Sequence, residues 1–381
     1  MPKAVLVNDT FSWYHWGCNA TSQALRIRIK QLGFHLMSIP IQTVHQLQQL
    51  PQTLGDFDSV EFFRDYYRRY PAVINALSEA DVVVINGEGT LHRVSQASLS
   101  LLYLAYASKK FLGKPVQIIN HSVYPEVVTS PRQSVAFDIY RGVYQALDYI
   151  AIREPVSFRL MQQIGLPVAR SFDSLPLIVR NYYQPSRVDL TKPQVVIAGS
   201  VSFPDERISD LCQIMEQVAK RGYNVNVLIG AKSNLAGDDV QFVERLRAHT
   251  VNGVAWNLIQ AQSLQEWLDT FQRASLLISG RFHHTIAASC LGVPVVMCES
   301  NTLKNQALAE MLDLASPVDY ANADFARILS ERVDSGLSDS RREGTGRLEE
   351  WCDLAERNFD GLRRLASAEP ARAAMPIPAS T

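Results

Sequence analysis

The 381-residue sequence has no long apolar run, no block of like charge and no cysteine framework. Apolar residues never approach the roughly 18 in succession that a membrane helix needs, so no transmembrane segment is expected. Its 37 Lys and Arg against 38 Asp and Glu leave a net charge of −1, which excludes general affinity for nucleic acid. Any anion site must therefore be local. The five cysteines (Cys18, Cys212, Cys290, Cys298 and Cys352) include no CxxC pair, so neither a zinc framework nor disulfides are expected. No metal and no cofactor are implied. Met1–Asn8 runs directly into a strand without the apolar stretch and cleavage site of a secretory signal. The expected location is cytoplasmic, with room for peripheral association at the inner face of a membrane.

What is present is an alternation of short apolar runs with longer amphipathic stretches, the pattern of parallel strands joined by helices. The length exceeds what one average core supports, which favours two domains. Strands are predicted at 4–8, 35–40, 81–86, 116–120, 149–153 and 169–172, with helices at about 19–32 and 157–164. Residues 181–193, interrupted by Pro185 and Pro193, read as an interdomain linker. The alternation restarts with strands at 194–199, 224–230, 253–258, 276–279 and 294–298. These runs predict an α/β protein of two Rossmann-like domains facing across a cleft, a GT-B-like architecture. The domains would span 1–182 (acceptor side) and 193–338 (donor side). Residues 340–366 read as one amphipathic helix within a 339–368 segment packing back across the hinge, and 369–381 as a disordered tail.

In such sheets ligands sit at the carboxyl ends of strands, where free helix N-terminal amides favour negative charge. The run Ser279-Gly280-Arg281-Phe282-His283-His284 occupies such an end, before a helix of small residues expected at 285–290. Arg281 and His283 flank Phe282, so both can reach one pocket while Phe282 enters the core; His284 starts the helix. Lys304, beyond the next strand, is a second cation near that rim, or a solvated helix residue. After the third strand, Asn86-Gly87-Glu88-Gly89-Thr90 presents a carboxylate between two glycines. Glu88 is either a base toward a sugar hydroxyl or part of a tight turn. Asn19 or Thr21 can cap the first helix, and the nearby aromatics can stack on a sugar ring. Arg153, before Glu154-Pro155, either projects a fork of donors into the cleft or pairs with Glu154 at the surface. His121, at another strand end, can donate to a hydroxyl or phosphate, or be a satisfied structural histidine. Ser200 and Lys232 follow the first two strands of the second half, where hydroxyls and free amides suit an anion.

Taken in order, Asn19, Gly87–Thr90, Arg153-Glu154-Pro155-Val156-Ser157, Asp173, Ser279-Gly280-Arg281-Phe282-His283, Gly292-Val293-Pro294-Val295-Val296 and Lys304 resemble the polysaccharide pyruvyl transferase family. The likeness covers roughly residues 8–304. It implies a GT-B-like fold and transfer of pyruvyl from phosphoenolpyruvate to hydroxyls of a cell-surface glycan, free or lipid-linked. Arg281 would neutralise the donor, and His283 would be the general acid. Arg153, Ser200, Lys232, Ser279, Gly280, His284 and Lys304 would line the donor side. Asn19, Asn86, Gly87, Gly89, Thr90 and His121 would line the acceptor side. Two departures stand out: Glu88 interrupts what is usually a glycine run, and Phe282 replaces the usual leucine. A glycosyltransferase using a nucleotide-activated, CMP-linked acidic sugar is the alternative that these departures keep open.

Overall fold

The computed structural model describes residues 1–126, 134–186, 192–200, 203–232, 237–249, 255–338 and 344–368. Part of the expected linker, the start of the strand expected at 253–258, and the whole tail at 369–381 lie outside the described residues. Eleven strands form two parallel sheets, one per half of the chain. The first has the order β2-β1-β3-β4-β5-β6, built from β1 (Lys3–Asp9), β2 (His35–Pro40), β3 (Val82–Glu88), β4 (Val116–His121), β5 (Tyr149–Ile152) and β6 (Ala169–Arg170). The second has the order β11-β10-β7-β8-β9, built from β7 (Gln194–Ala198), β8 (Asn224–Ile229), β9 (Trp256–Gln260), β10 (Ala274–Ser279) and β11 (Val295–Met297). β3 and β4 are buried along their whole length, which is why their apolar residues do not alternate with exposed polar ones; Gln117 and the polar residues at the strand ends are buried with them.

In each sheet the strand order reverses beside the first strand, between β1 and β3 and between β7 and β10. A crevice opens at such a reversal because the flanking connections leave to opposite faces. The loops after β1 and β3 meet those after β8 and β10. Three residues at the ends of adjoining strands take left-handed backbone: Asn8 at φ 62°, Glu88 at φ 40° and Asn120 at φ 54°. Asparagine tolerates this conformation; glutamate does so only at a cost. Asn8 and Asn86 each donate to the other's carbonyl, at 2.7 and 3.2 Å, and Asn120 Nδ2 donates to Asn86 Oδ1 at 3.1 Å. These bonds tie the carboxyl ends of β1, β3 and β4 together.

The two halves share a core. Trp16, Phe172, Leu175 and Val179 from the first pack with Trp267, Phe282, Ile286 and Leu308 from the second, and Trp351 joins them. The loop after β1 is also bonded across: Trp16 N–H donates to the Gly230 carbonyl at 3.1 Å and Lys232 N–H to the Tyr14 carbonyl at 2.8 Å. Trp16 Nε1 adds a bond to the Ala261 carbonyl at 3.0 Å.

The single helix expected at 340–366 is instead broken. A helix at Gly344–Glu356 tightens into a 3₁₀ turn at Arg357–Phe359, and a further helix follows at Asp360–Ala368. The break places Asn358 inside the first half of the molecule. Its Nδ2 donates to the Phe172 and Ala355 carbonyls at 2.8 and 2.9 Å, and its Oδ1 accepts from Asn120 N–H at 2.8 Å. Cys352, Phe359 and Leu362 pack against that half's strands. No helix among the described residues is long and apolar enough to cross a membrane.

Asn358→Ala strands buried backbone groups on both sides of this junction. It should lower stability by roughly 2–4 kcal/mol in denaturant unfolding; a change too small to measure would show that the C-terminal segment is not anchored by this side chain.

Candidate active site

The second half contributes the turn after β10. Ser279 is fully buried and its Oγ accepts the Arg281 N–H at 3.0 Å, bending the chain. Gly280 is required: a Cβ there would stand 2.3 Å from Ser200 Cβ and 2.8 Å from the Glu299 carbonyl oxygen. The helix that follows runs Phe282–Cys290, starting three residues earlier than the sequence suggested, and no side chain caps its N-terminus. Its first-turn amides face the crevice, where they favour an anion.

Arg281 forms an ion pair with Asp239, from the helix Gly237–His249. Asp239 also accepts the Gly230 N–H at 3.0 Å, which fixes its position beneath the cleft. Phe282 enters the core as expected, and its ring lies under the Arg153 guanidinium, 4.4 Å from centroid to Cζ. His283 points the other way. Its Nε2 is 3.3 Å from Asp173 Oδ2, and its Nδ1 is 3.9 Å from Cys18 Sγ.

Asp173 has no exposed surface. Its Oδ1 accepts from Thr21 Oγ1 and from Leu175 N–H, both at 2.9 Å, while Oδ2 accepts from Arg153 Nη1 at 2.8 Å. Burial alone would raise its pKa, but His283, Arg153 and these donors outweigh that and hold the carboxyl well below the usual range. Arg153 also donates from Nε to Ser122 Oγ at 3.2 Å. Gly89 lies beside this guanidinium: a Cβ there would be in ordinary contact with Arg153 Nη2, at 3.7 Å.

Glu88 is 6% exposed. Its Oε1 accepts from Thr10 Oγ1 at 2.5 Å and from Asn86 Nδ2 at 3.3 Å. Burial, and then Glu88, push the Cys18 thiol well above its ordinary value, so it is held protonated. Lys304 begins the helix Lys304–Leu312 and lines the cleft without an ion-pair partner among the described residues. Burial, then Arg153 and Arg281, lower its pKa to about 8.

The cleft has a volume of about 390 Å³, within the roughly 300–1,000 Å³ that small-ligand sites occupy. Of the residues singled out in the sequence, Glu88, Gly89, Thr90, Arg153, Gly280, Arg281, His283, His284 and Lys304 form its wall. The others do not. Asn86 is consumed in the strand-end bonds, and Gly87 lets β3 approach β4, since a Cβ there would sit 2.5 Å from His121 Cβ. His121 is fully buried, bonded through Nε2 to Tyr144 Oη at 2.9 Å, and driven down to about 3 by burial and then Arg153. Asn19 does not cap its helix, which starts at Trp16 after His15; its amide donates to the Phe11 carbonyl. Ser200 lies behind Gly280, accepting from Tyr320 Oη at 3.0 Å, and Lys232 lies over the Trp16 ring. Ser279 is spent on its own turn. His284 reaches the wall as a neutral ring between Trp267 and Phe271, with its pKa driven well down by burial and then Arg281. It is packing rather than a cation for an anion. The Arg153–Glu154 surface pair does not form: Glu154 is buried and caps the helix Pro155–Gln163, accepting from Val156 N–H at 2.7 Å.

The sequence reading gave no role to Cys18, Asp238 or the pairing residue Asp239. Cys18 belongs to the loop already marked for its aromatics, of which Trp13 and Tyr14 line the cleft. Asp239 follows Asp238 in a stretch with no local signature, and only the packing of its helix brings it under Arg281. The two arginines thus carry buried counter-charges that residue types alone did not reveal. What remains uncompensated is the Lys304 ammonium, the helix N-terminus and the spare N–H groups of the arginines. Together these can hold a small dianionic or trianionic ligand beside a histidine braced by a carboxylate.

A family model described as polysaccharide pyruvyl transferase matches residues 22–302, most of the chain. No curated protein matches the sequence. Among solved structures, UDP-GlcNAc 2-epimerase from Neisseria meningitidis, bound to UDP-GlcNAc, superposes with a TM-score of 0.57 at 11% identity, over 96% of this chain and 99% of that one. The UDP-GlcNAc 2-epimerase from Methanocaldococcus jannaschii gives 0.53 at 11% identity, over 92% and 99%. The glycotransferase of kitacinnamycin gives 0.53 at 14% identity, over 96% and 98%. At such identities these likenesses establish the fold: two Rossmann-like domains facing across a cleft.

The lowered pKa of Lys304 means that folding with this ammonium charged is unfavourable. Lys304→Met should therefore raise the unfolding midpoint at pH 7. The gain is full below pH 8, where the lysine is charged in both states, and fades toward about pH 10.4, where the unfolded chain also loses the proton. An unchanged or lower midpoint at pH 7 would contradict the strained-charge account.

Proposed function

Because this chain belongs to the polysaccharide pyruvyl transferase family, and is therefore a transferase, we propose that its cleft binds phosphoenolpyruvate and moves the pyruvyl group to hydroxyls of a glycan. The observation that carries this reading is the His283–Asp173 pair beside the free Lys304 and an uncapped helix N-terminus. One group can deliver a proton and the others can hold phosphate.

The donor has an electron-rich methylene carbon, C3, and a phosphorylated C2. His283, as imidazolium, gives its proton to C3, and C2 becomes electron-poor. Asp173 fixes the ring and stabilises the imidazolium, as a buried carboxylate does for a catalytic histidine. An acceptor hydroxyl then attacks C2, forming the C–O bond, and its proton passes to Glu88. Loss of phosphate, which takes the proton from Glu88, breaks the C2–O bond; a second hydroxyl of the same sugar then attacks C2 to close a cyclic ketal, and its proton returns to the neutral His283. Lys304 and the amides of the Phe282–Cys290 helix offset the phosphate charge that develops as it leaves. Arg281 and Arg153, oriented by Asp239 and Asp173, offer their remaining N–H groups to the donor carboxylate.

Glu88 fits the acceptor side of this scheme. A carboxylate held in left-handed backbone costs stability, and such an outlier at a strand end is characteristic of functional positions. The membership in this family favours phosphoenolpyruvate over the nucleotide-sugar donor.

His283→Ala should cut phosphate release from phosphoenolpyruvate, measured with an accepting glycan, by about 10²–10⁴-fold while the protein stays folded. Thermal stabilisation by phosphoenolpyruvate should be seen in the unmodified protein. Stabilisation by CMP or UDP with none by phosphoenolpyruvate would replace this reading with the glycosyltransferase one.

A further inference from the structure

A second cavity, of about 330 Å³, opens beside the cleft between the two domains. His92 belongs to the walls of both cavities, and Leu303 of the second directly precedes Lys304 of the first. The two spaces therefore adjoin. Tyr124 and Glu126 come from the first domain, and Thr302, Leu303, Asn305 and Pro317 from the second.

Three buried oxygens of this wall, Glu126 Oε2, Thr302 Oγ1 and Asn305 Oδ1, are left without a hydrogen-bond partner among the described residues, and each can accept a hydrogen bond. Asn305 is 1% exposed, and its amide group donates to the Gly280 and Cys298 carbonyls, both at 2.9 Å. Those bonds fix which atom is the oxygen and leave it unsatisfied. Unpaired buried acceptors are costly, and a ligand rich in O–H donors relieves that cost. Glu299 adds a second carboxyl to the wall, its pKa raised by burial and by the Asp319 carboxyl. With Glu126 it disfavours an anionic ligand, despite Arg93 at the exposed edge. The apolar surface comes from the Tyr124 ring, whose hydroxyl is engaged with Glu154 at 2.9 Å, from Pro317, and from Leu303, which is 37% exposed. Many hydroxyls, no charge and an apolar C–H face describe a neutral sugar ring.

We infer that this cavity is a second sugar subsite, which holds the residue of a glycan chain next to the one that receives the pyruvyl group. The inference rests on the proposed function, which puts the reacting sugar in the adjoining cleft. It makes the protein a reader of at least two consecutive sugars, with the neighbouring ring setting how the reacting hydroxyls meet the donor.

The test is binding, read by saturation-transfer NMR and titration without turnover. The probes are neutral disaccharides of glucose, galactose, mannose and N-acetylglucosamine in both α and β linkages, each against its component methyl glycosides. At least one disaccharide should bind about tenfold more tightly than its monosaccharides. Leu303→Trp, which fills the cavity from its rim, and Thr302→Val, which removes one acceptor at constant shape, should each shrink that ratio. A ratio near one for every pair, or a ratio untouched by both variants, overturns the subsite. Stabilisation of the unmodified protein by phosphoenolpyruvate is measured in parallel. Its absence counts against the proposed function, whereas its presence with a disaccharide ratio near one counts against the subsite alone.

Discussion

The Asp173 carboxylate, fully withdrawn from water, is the interaction on which the site depends. A buried charge survives only when it is fully paired, and Asp173 is paired by residues from several parts of the chain. Thr21 belongs to the helix after β1, Arg153 to the end of β5, Leu175 to the helix after Asp173 itself, and His283 to the second domain. One carboxylate therefore fixes the position of a histidine across the domain boundary. The shared core around Phe172, Trp267 and Ile286 keeps that boundary dry, and the bonds from the Trp16 loop to Gly230 and Ala261 hold its rim. The junction is thus the frame of the cleft.

The same logic of paired charge explains why the cleft is less positive than its residue types suggest. Arg153 and Arg281 each lie against a buried aspartate, which makes them fixed, directional donors rather than free charges. Lys304 differs because it has burial without a counter-ion, and its lowered pKa records that state. Sites that must receive a charged ligand commonly retain such an imbalance, since the ligand supplies the missing partner. Glu88 is the complementary case, a carboxylate held by hydroxyl and amide donors in an unfavourable backbone conformation.

Much of the fold was legible in the chain. The strands at 4–8, 81–86, 116–120 and 276–279 stood out because parallel strands covered on both faces are mostly apolar. The break within 340–366 was not legible, because the amphipathic pattern continues through Arg357–Phe359 and only the demand for Asn358 at the Asn120 and Phe172 backbone tightens the turn. In the site, residues at strand ends were found wherever the strand was found. Which of them faced the cleft was not: Asn86, His121 and Ser279 sit at strand ends as Glu88 and Arg281 do, yet turn into the protein.

The sequence by itself determined the class of fold, the family and the positions where ligand groups could stand, because periodicity and strand-end motifs are local properties. Tertiary structure alone decided which of those groups are charged, free and facing one another. Asp239 meets Arg281, and Asp173 meets His283, across separations that no local pattern encodes. The strength of a charge depends on burial and on its partner, and both come into being only when the two sheets close around the cleft.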